Sequence, residues 1–120
     1  MIDDIDHYSY SELEEEIKRI LFSICLDSRG YISDKINSGS FWISLSTDNN
    51  ITNTKFFKLF LNKKNLKDPG FICQVALDTI NSEVFLSFNP NRYIKFTSLT
   101  RLEKTITLTV INYLEKVILE

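Results

Sequence analysis

The sequence predicts an α+β fold, an antiparallel sheet with three helices in the order α-β(-β)-α-β-β-α. Three observations predict it. Phe71 to Phe88 reads as two alternating strands around a polar turn, with one nearly continuous apolar face. Leu13, Ile17, Ile20, Leu21 and Ile24 recur at helical spacing near the N-terminus, and Leu99, Leu102, Ile106, Val110 and Leu114 do so near the C-terminus. A lone hairpin is marginal in water, so it needs helices or further strands as cover.

Taken in order, residues 1–8 are polar and are expected as a disordered tail. Helix one starts at Ser9 or Ser11, because Ser9 with Glu12 and Ser11 with Glu14 both fit the capping box. The acidic residues that follow suit the positive end of the helix dipole. The helix is expected to stop between Asp27 and Gly30, with Gly30 a left-handed C-terminal residue. Tyr31–Ile36 reads as a weak strand and Asn37–Ser40 as a turn. Phe41–Thr47 is a stronger strand: Phe41, Ile43 and Leu45 share one face, Trp42, Ser44 and Ser46 the other. Trp42 therefore lies on the wetter face or under a helix. After the polar turn Asp48–Asn53, a second helix capped by Thr52 or Thr54 is expected to run to about Leu66. Phe56, Phe57, Leu59, Phe60 and Leu61 would make it apolar over most of its circumference, hence buried on two sides. Phe57 and Leu61 would then face a second partner. Lys67–Gly70 turns the chain into the hairpin, and Asn89–Asn91 ends it. Tyr93, Ile94 and Phe96 form a connecting segment or short strand. The last element is ambiguous. Thr105–Val110 alternates like a strand, but the wider apolar period over five turns predicts a helix, with Thr100 and Glu103 as a capping box and the threonines on its polar side or bonded back to the preceding turn.

At 120 residues the chain, 1–120, has the size of one domain and can bury a core without metal or disulfides. Its 43% hydrophobic and 25% charged content is that of a globular protein. The net charge of −2 is uneven. Seven carboxylates and no bases lie in residues 1–16; the remaining nine carboxylates face all fourteen bases, so residues 17–120 carry a surplus of five positive charges. Cys25 and Cys73 sit in apolar runs, which suits a reducing, cytoplasmic setting. No signal peptide and no run long enough to span a bilayer is visible, so membrane insertion is not expected.

Little in the chain points to catalysis. His7 is the single histidine and lies in the expected tail. No Cys/His or His/Glu metal spacing and no Gly-rich phosphate loop occurs, so no metal and no cofactor is expected. The carboxylates of helix one lack a pocket to shift their pKa, so the chain is not expected to be an enzyme. The lysines around residues 55–67 would support nucleic-acid binding only against an isoelectric point of 5.4 and without a recognisable motif, so that partner is not expected either. Protein binding remains, through strand edges and the over-apolar segment after Thr54.

Two stretches, LFLNKKNLKDPGFICQVALDTINSEVFLSF and LTRLEKTITLTVINYLEKV, resemble the class I type III secretion chaperones. Leu59, Leu61 and Asn65 stand where the family's second helix ends, Ala76–Leu77–Asp78 where a strand ends, and Asn81–Ser82–Glu83 with Leu86 in the following turn and strand. The resemblance covers about residues 56–118 and is one of element order and apolar spacing. The family has three strands before its second helix, where this chain shows Phe41–Thr47 and the weaker Tyr31–Ile36. The resemblance implies a cytosolic homodimer that binds the extended N-terminal segment of a secreted effector and keeps it soluble and export-competent. It implies effector contacts at Leu13, Ile17, Ile20, Leu21, Ile24 and Trp42, and a dimer interface of Phe56, Phe57, Phe60, Leu61, Ile72 and Gln74. The alternative is an immunity protein whose acidic first helix covers the basic active site of a bacterial toxin.

Overall fold

The computed structural model describes residues 3–36, 41–48, 53–64, 67, 69–89 and 92–118; for 29–36 and 117–118 it describes the backbone alone. The turn expected at Asn37–Ser40 lies outside the described residues. A 3-10 turn at Ile5–His7 precedes a long helix α1 (Tyr10–Ile36). Five strands follow, β1 (Phe41–Asp48), β2 (Thr54–Lys63), β3 (Gly70–Asp78), β4 (Glu83–Asn89) and β5 (Arg92–Phe96), and helix α2 (Leu99–Ile118) closes the order. The strands form one antiparallel meander, β1-β2-β3-β4-β5. The fold is therefore α+β, with two helices among the described residues rather than three.

The expected second helix is strand β2. Its sequence TKFFKLFLNK has period two: Phe57, Leu59 and Leu61 point one way, Phe56, Lys58 and Phe60 the other. A short segment apolar on both faces satisfies a buried helix and a central strand alike, and periodicity alone does not separate them. Neighbours on both sides do. Ile43 and Leu45 of β1 pair with Leu61 and Leu59, while Phe57 and Leu59 pair with Val75 and Cys73 of β3. The expected weak strand Tyr31–Ile36 is likewise corrected, because α1 continues through Gly30 to Ile36. A glycine inside a helix costs only about 1 kcal/mol relative to alanine, too little to end one.

Both helices lie on the same face of the sheet. Leu13, Ile17, Ile20, Leu21 and Ile24 of α1 and Leu99, Leu102, Ile106, Val110 and Leu114 of α2 join Phe57, Leu59, Val75, Leu77, Val84 and Leu86 in one core. The hairpin is thus the expected one, with Cys73, Val75 and Leu77 under the helices. Its turn is set by the Asp78 carboxylate, which accepts from the backbone N–H of Ile80 at 2.9 Å and of Asn81 at 3.1 Å. Ser82 completes the turn at φ 53°. Gly70 begins β3 directly under α2, where a Cβ would collide with the Tyr113 hydroxyl. The connecting segment after the hairpin is strand β5, paired with β4 through Leu86 and Ile94.

The helix ends follow local chemistry, with one addition from far away. Ser9 and Glu12 form the reciprocal capping box, at 3.1 and 3.3 Å, so Ser9 rather than Ser11 starts α1. At α2 the cap is Ser98, whose Oγ accepts from the Arg101 N–H at 3.2 Å; the expected box at Thr100 does not form. The Asp3 carboxylate adds to this cap, accepting from the Thr100 N–H at 2.7 Å and from the Ser98 hydroxyl. Ile5 is buried and its N–H donates to Thr97 at 2.9 Å. The expected disordered tail is therefore corrected over residues 3–8, which strap the start of α2. Within α2, Thr105 and Thr109 donate to the carbonyls of Arg101 and Thr105 at 2.8 and 2.7 Å, the back-bonding that lets threonine sit in a helix. Glu14 of α1 forms an ion pair with Lys55 of β2 and a second with Lys18 at 3.4 Å. The Lys55 hydrogen bond is the main reason its carboxyl stays below the usual glutamate range.

Two measurements check this architecture. Phe57 is fully buried, so Phe57→Ala should lower unfolding stability in urea by about 3 to 5 kcal/mol, and Phe60→Ala, half-buried on the opposite face, by clearly less. The Asp3 carboxyl is held below its ordinary value of 3.8 by the Ser98 hydroxyl and then by Thr100. A depressed folded pKa contributes stability above the unfolded value, which is lost as pH falls through the folded one. Asp3→Asn should therefore lower Tm at neutral pH, and its deficit against the parent should shrink as pH drops below 3.8.

Candidate functional site on the open face of the sheet

The face of the sheet opposite the helices carries the side chains of one parity from each strand. Trp42, Ser44 and Ser46 come from β1, Phe56, Lys58 and Phe60 from β2, Gln74 and Ala76 from β3, Phe85 and Ser87 from β4, and Tyr93 and Lys95 from β5. No described helix packs on this side. Between Leu59 and Phe60 the β2–β3 register shifts. Leu59 pairs with Cys73 but Phe60 pairs with Phe71, so Ile72 is the extra residue of a bulge. The bulge turns Phe71 onto the open face, where its ring meets Phe60 edge to face at 6.0 Å.

These rings frame a shallow depression of about 610 Å³, lined by Phe56, Phe60, Phe71, Gln74 and Tyr93 and by the Asp48 and Lys58 pair. Gln74 is held by a row across three strands. Gln74 pairs with Ser87, and Ser87 pairs with Tyr93. The small, buried Ser87 lets the Gln74 amide pass over it and donate to the Tyr93 hydroxyl at 2.8 Å. Trp42 and Tyr93 stay exposed at 41% and 45%. The charges of the face are paired within it: Lys58 with Asp48 at 3.9 Å and Lys95 with Glu83 at 2.7 Å. The surface is thus aromatic and close to neutral. It can bury apolar side chains without stranding a charge, and it lacks the positive surplus that tracks a phosphate backbone.

The residues singled out from the sequence are divided by this geometry. Leu13, Ile17, Ile20, Leu21 and Ile24 are buried in the core; of the five, Ile24 borders an opening along α1, a pocket of about 240 Å³ shared with Val110, Ile111 and Leu114 of α2. Of that set only Trp42 reaches the open face. Phe57 and Leu61 are core residues, and their expected place in a dimer interface is corrected: strand parity turns them under the helices. Ile72 is buried in the same core at the bulge. Phe56, Phe60 and Gln74 do come together, on the open face. Phe71 and Tyr93 were missed. Tyr93 carries the alternation signal of β5, but the parity of Phe71 depends on a bulge that no sequence period announces.

Most of the seven carboxylates in residues 1–16 serve the chain itself. Asp3 caps α2, Asp4 caps the 3-10 turn, Glu12 accepts from the Ser9 N–H at the start of α1, Glu14 pairs with Lys55, and Glu16 pairs with Arg19 at 2.8 Å. Among the described residues no group of three His, Cys, Asp or Glu side chains is placed to hold a metal ion. No described helix is long and apolar enough to cross a membrane.

Cys73 lies fully buried below the open face, and Cys25 is half-buried on α1. Burial pushes the Cys73 thiol up to about 12, with a smaller contribution from Cys25. In the folded chain at pH 8, iodoacetamide should leave Cys73 unmodified, and mass spectrometry should find it alkylated at once in denaturant.

No protein-family model, no curated protein and no solved structure matches this chain.

Proposed function

We propose that the chain is a protein-binding module, and that the open face of its sheet holds an extended apolar segment of another protein. One observation carries this reading: a near-neutral depression of about 610 Å³ ringed by Phe56, Phe60, Phe71 and Tyr93, on the side where no described helix covers the sheet. Apolar side chains buried there each contribute about 25 cal/mol per Å² removed from water. The aromatic rings offer that area at little cost in side-chain entropy.

The finer reading follows the resemblance to class I type III secretion chaperones. The bound segment is then the N-terminus of a secreted effector, kept from aggregating until export. An antiparallel sheet framed by an N-terminal and a C-terminal helix supports it. The contact surface moves, however, from helix α1 to the sheet, because the helix residues first assigned to the effector are core residues here. The immunity reading needs a free acidic surface, and most of the N-terminal carboxylates are engaged in caps and ion pairs.

Selection of displayed peptides against the folded chain tests the proposal. Uncharged segments with an apolar residue at every second position should be enriched, and their binding should change the fluorescence of Trp42, the single tryptophan. Phe60→Ser and Tyr93→Ser should each weaken binding about tenfold or more, while Leu108→Ser on the outer face of α2 should leave it unchanged. Enriched peptides that bind the Phe60→Ser and Tyr93→Ser proteins as tightly as the parent would overturn it.

A further inference from the structure

The two edges of the sheet are guarded unequally. β5 is short, five residues, and carries Arg92 and Lys95, the usual protection against pairing with another chain. β1 is eight residues long, FWISLSTD, with no Pro, no Gly and no charge before Asp48. It is the first strand of the sheet, and no described strand lies on its outer side. A long edge with no charge over its first seven residues is a template for another strand.

We infer that the occupant is the β1 strand of a second copy of this chain, paired antiparallel about a two-fold axis. The strand is complementary to itself. Its first half is bulky, Phe41, Trp42 and Ile43; its second half is small and polar, Ser44, Ser46 and Thr47, apart from Leu45. Antiparallel pairing about Ser44 or Leu45 keeps side chains on their own faces. On the open face Trp42 then lies opposite Ser46 or Asp48 of the partner subunit. On the helix face Ile43 lies opposite Leu45 or Thr47 of the partner subunit. The charges also agree. The strand's single carboxylate, Asp48, sits at its end, so the two copies of Asp48 lie far apart, and Lys58 offsets each within its own chain.

This pairing joins the two five-stranded sheets into one continuous sheet. The two open faces lie on the same side of it, since the two-fold axis runs perpendicular to the sheet. The depression reaches β1 through Asp48, so each depression extends to the shared edge. The dimer goes beyond the reading of segment binding and stands without it, because it forms in the absence of any third protein.

Sedimentation of the full chain tests it. The parent should run at twice the 14.0 kDa of the single chain at micromolar concentration. The double substitution Ser44→Lys with Ser46→Lys sets like charges against one another in either register. In pairing about Leu45, each substituted position faces the other one across the axis. In pairing about Ser44, the two copies of the first substitution face each other. That protein should run as a single chain with an unchanged circular dichroism spectrum. Mixing it with the Ser44→Glu, Ser46→Glu protein should restore the double mass. A parent that stays single at high micromolar concentration overturns the inference, as does a lysine variant that stays double or a mixture that stays single. Should the lysine variant fail to fold, hydrogen exchange on the parent decides. Slow exchange of β1 amides that is lost on dilution supports the pairing, and exchange independent of concentration overturns it.

Discussion

The pairing of β2 with β3 is the constraint on which the rest of this structure depends. It sets Phe57 beside Val75 and Leu59 beside Cys73, all fully buried, at the centre of the sheet. Because side chains alternate, this single register decides the side of every residue on both strands. It sends Phe57 and Leu61 under the helices and leaves Phe56 and Phe60 facing outward. A shift of one residue would exchange the two sets and expose the core face. The bulge at Ile72 is a local exception that keeps Ile72 inside while turning Phe71 out.

The two helices then act as a lid on one side only. α1 covers the β1 side and α2 the β3 and β5 side, and their apolar stripes meet in one core. A sheet covered on one face normally keeps the other polar. Here the uncovered face bears Phe56, Phe60, Phe71 and Tyr93 around a depression, with Trp42 elsewhere on the same face, and Lys58 and Lys95 are paired with Asp48 and Glu83. That departure from the usual pattern is what supports the proposed binding role of the open face. The core that stabilises the fold lies on the helix side of the sheet.

Residues 3–5 are tied to the start of α2 by polar contacts as well as by the buried Ile5. Asp3 and Ile5 hold the start of α2 through a cap and a short bridge to Thr97 and Ser98. The N-terminal helix and the second strand are held by Glu14 and Lys55. Such contacts explain the acidic bias of the first sixteen residues without invoking a basic partner: several of these carboxylates meet helix N-termini or lysines within the chain.

Much of the fold was legible in local pattern. The hairpin at Phe71–Phe88, the helices at Leu13–Ile24 and Leu99–Leu114 and the strand at Phe41 follow from period and spacing, while spacing left the start of α1 open between Ser9 and Ser11. The threonine-rich stretch in α2 followed from the wider apolar period overruling local β propensity. These elements were determined by the sequence itself, because each presents one apolar face whose period belongs to a single kind of element. Only the tertiary structure decided the identity of β2, the course of α1 beyond Gly30 and the side on which Phe71 stands. A segment apolar on two faces fits helix or strand, a lone glycine does not forbid a helix, and a bulge leaves no period behind. The identity of β2 rests on neighbours far away in the chain, Val75 for Phe57 and Ile43 for Leu61, and with it went the location of the candidate site, from the first helix to the open face of the sheet.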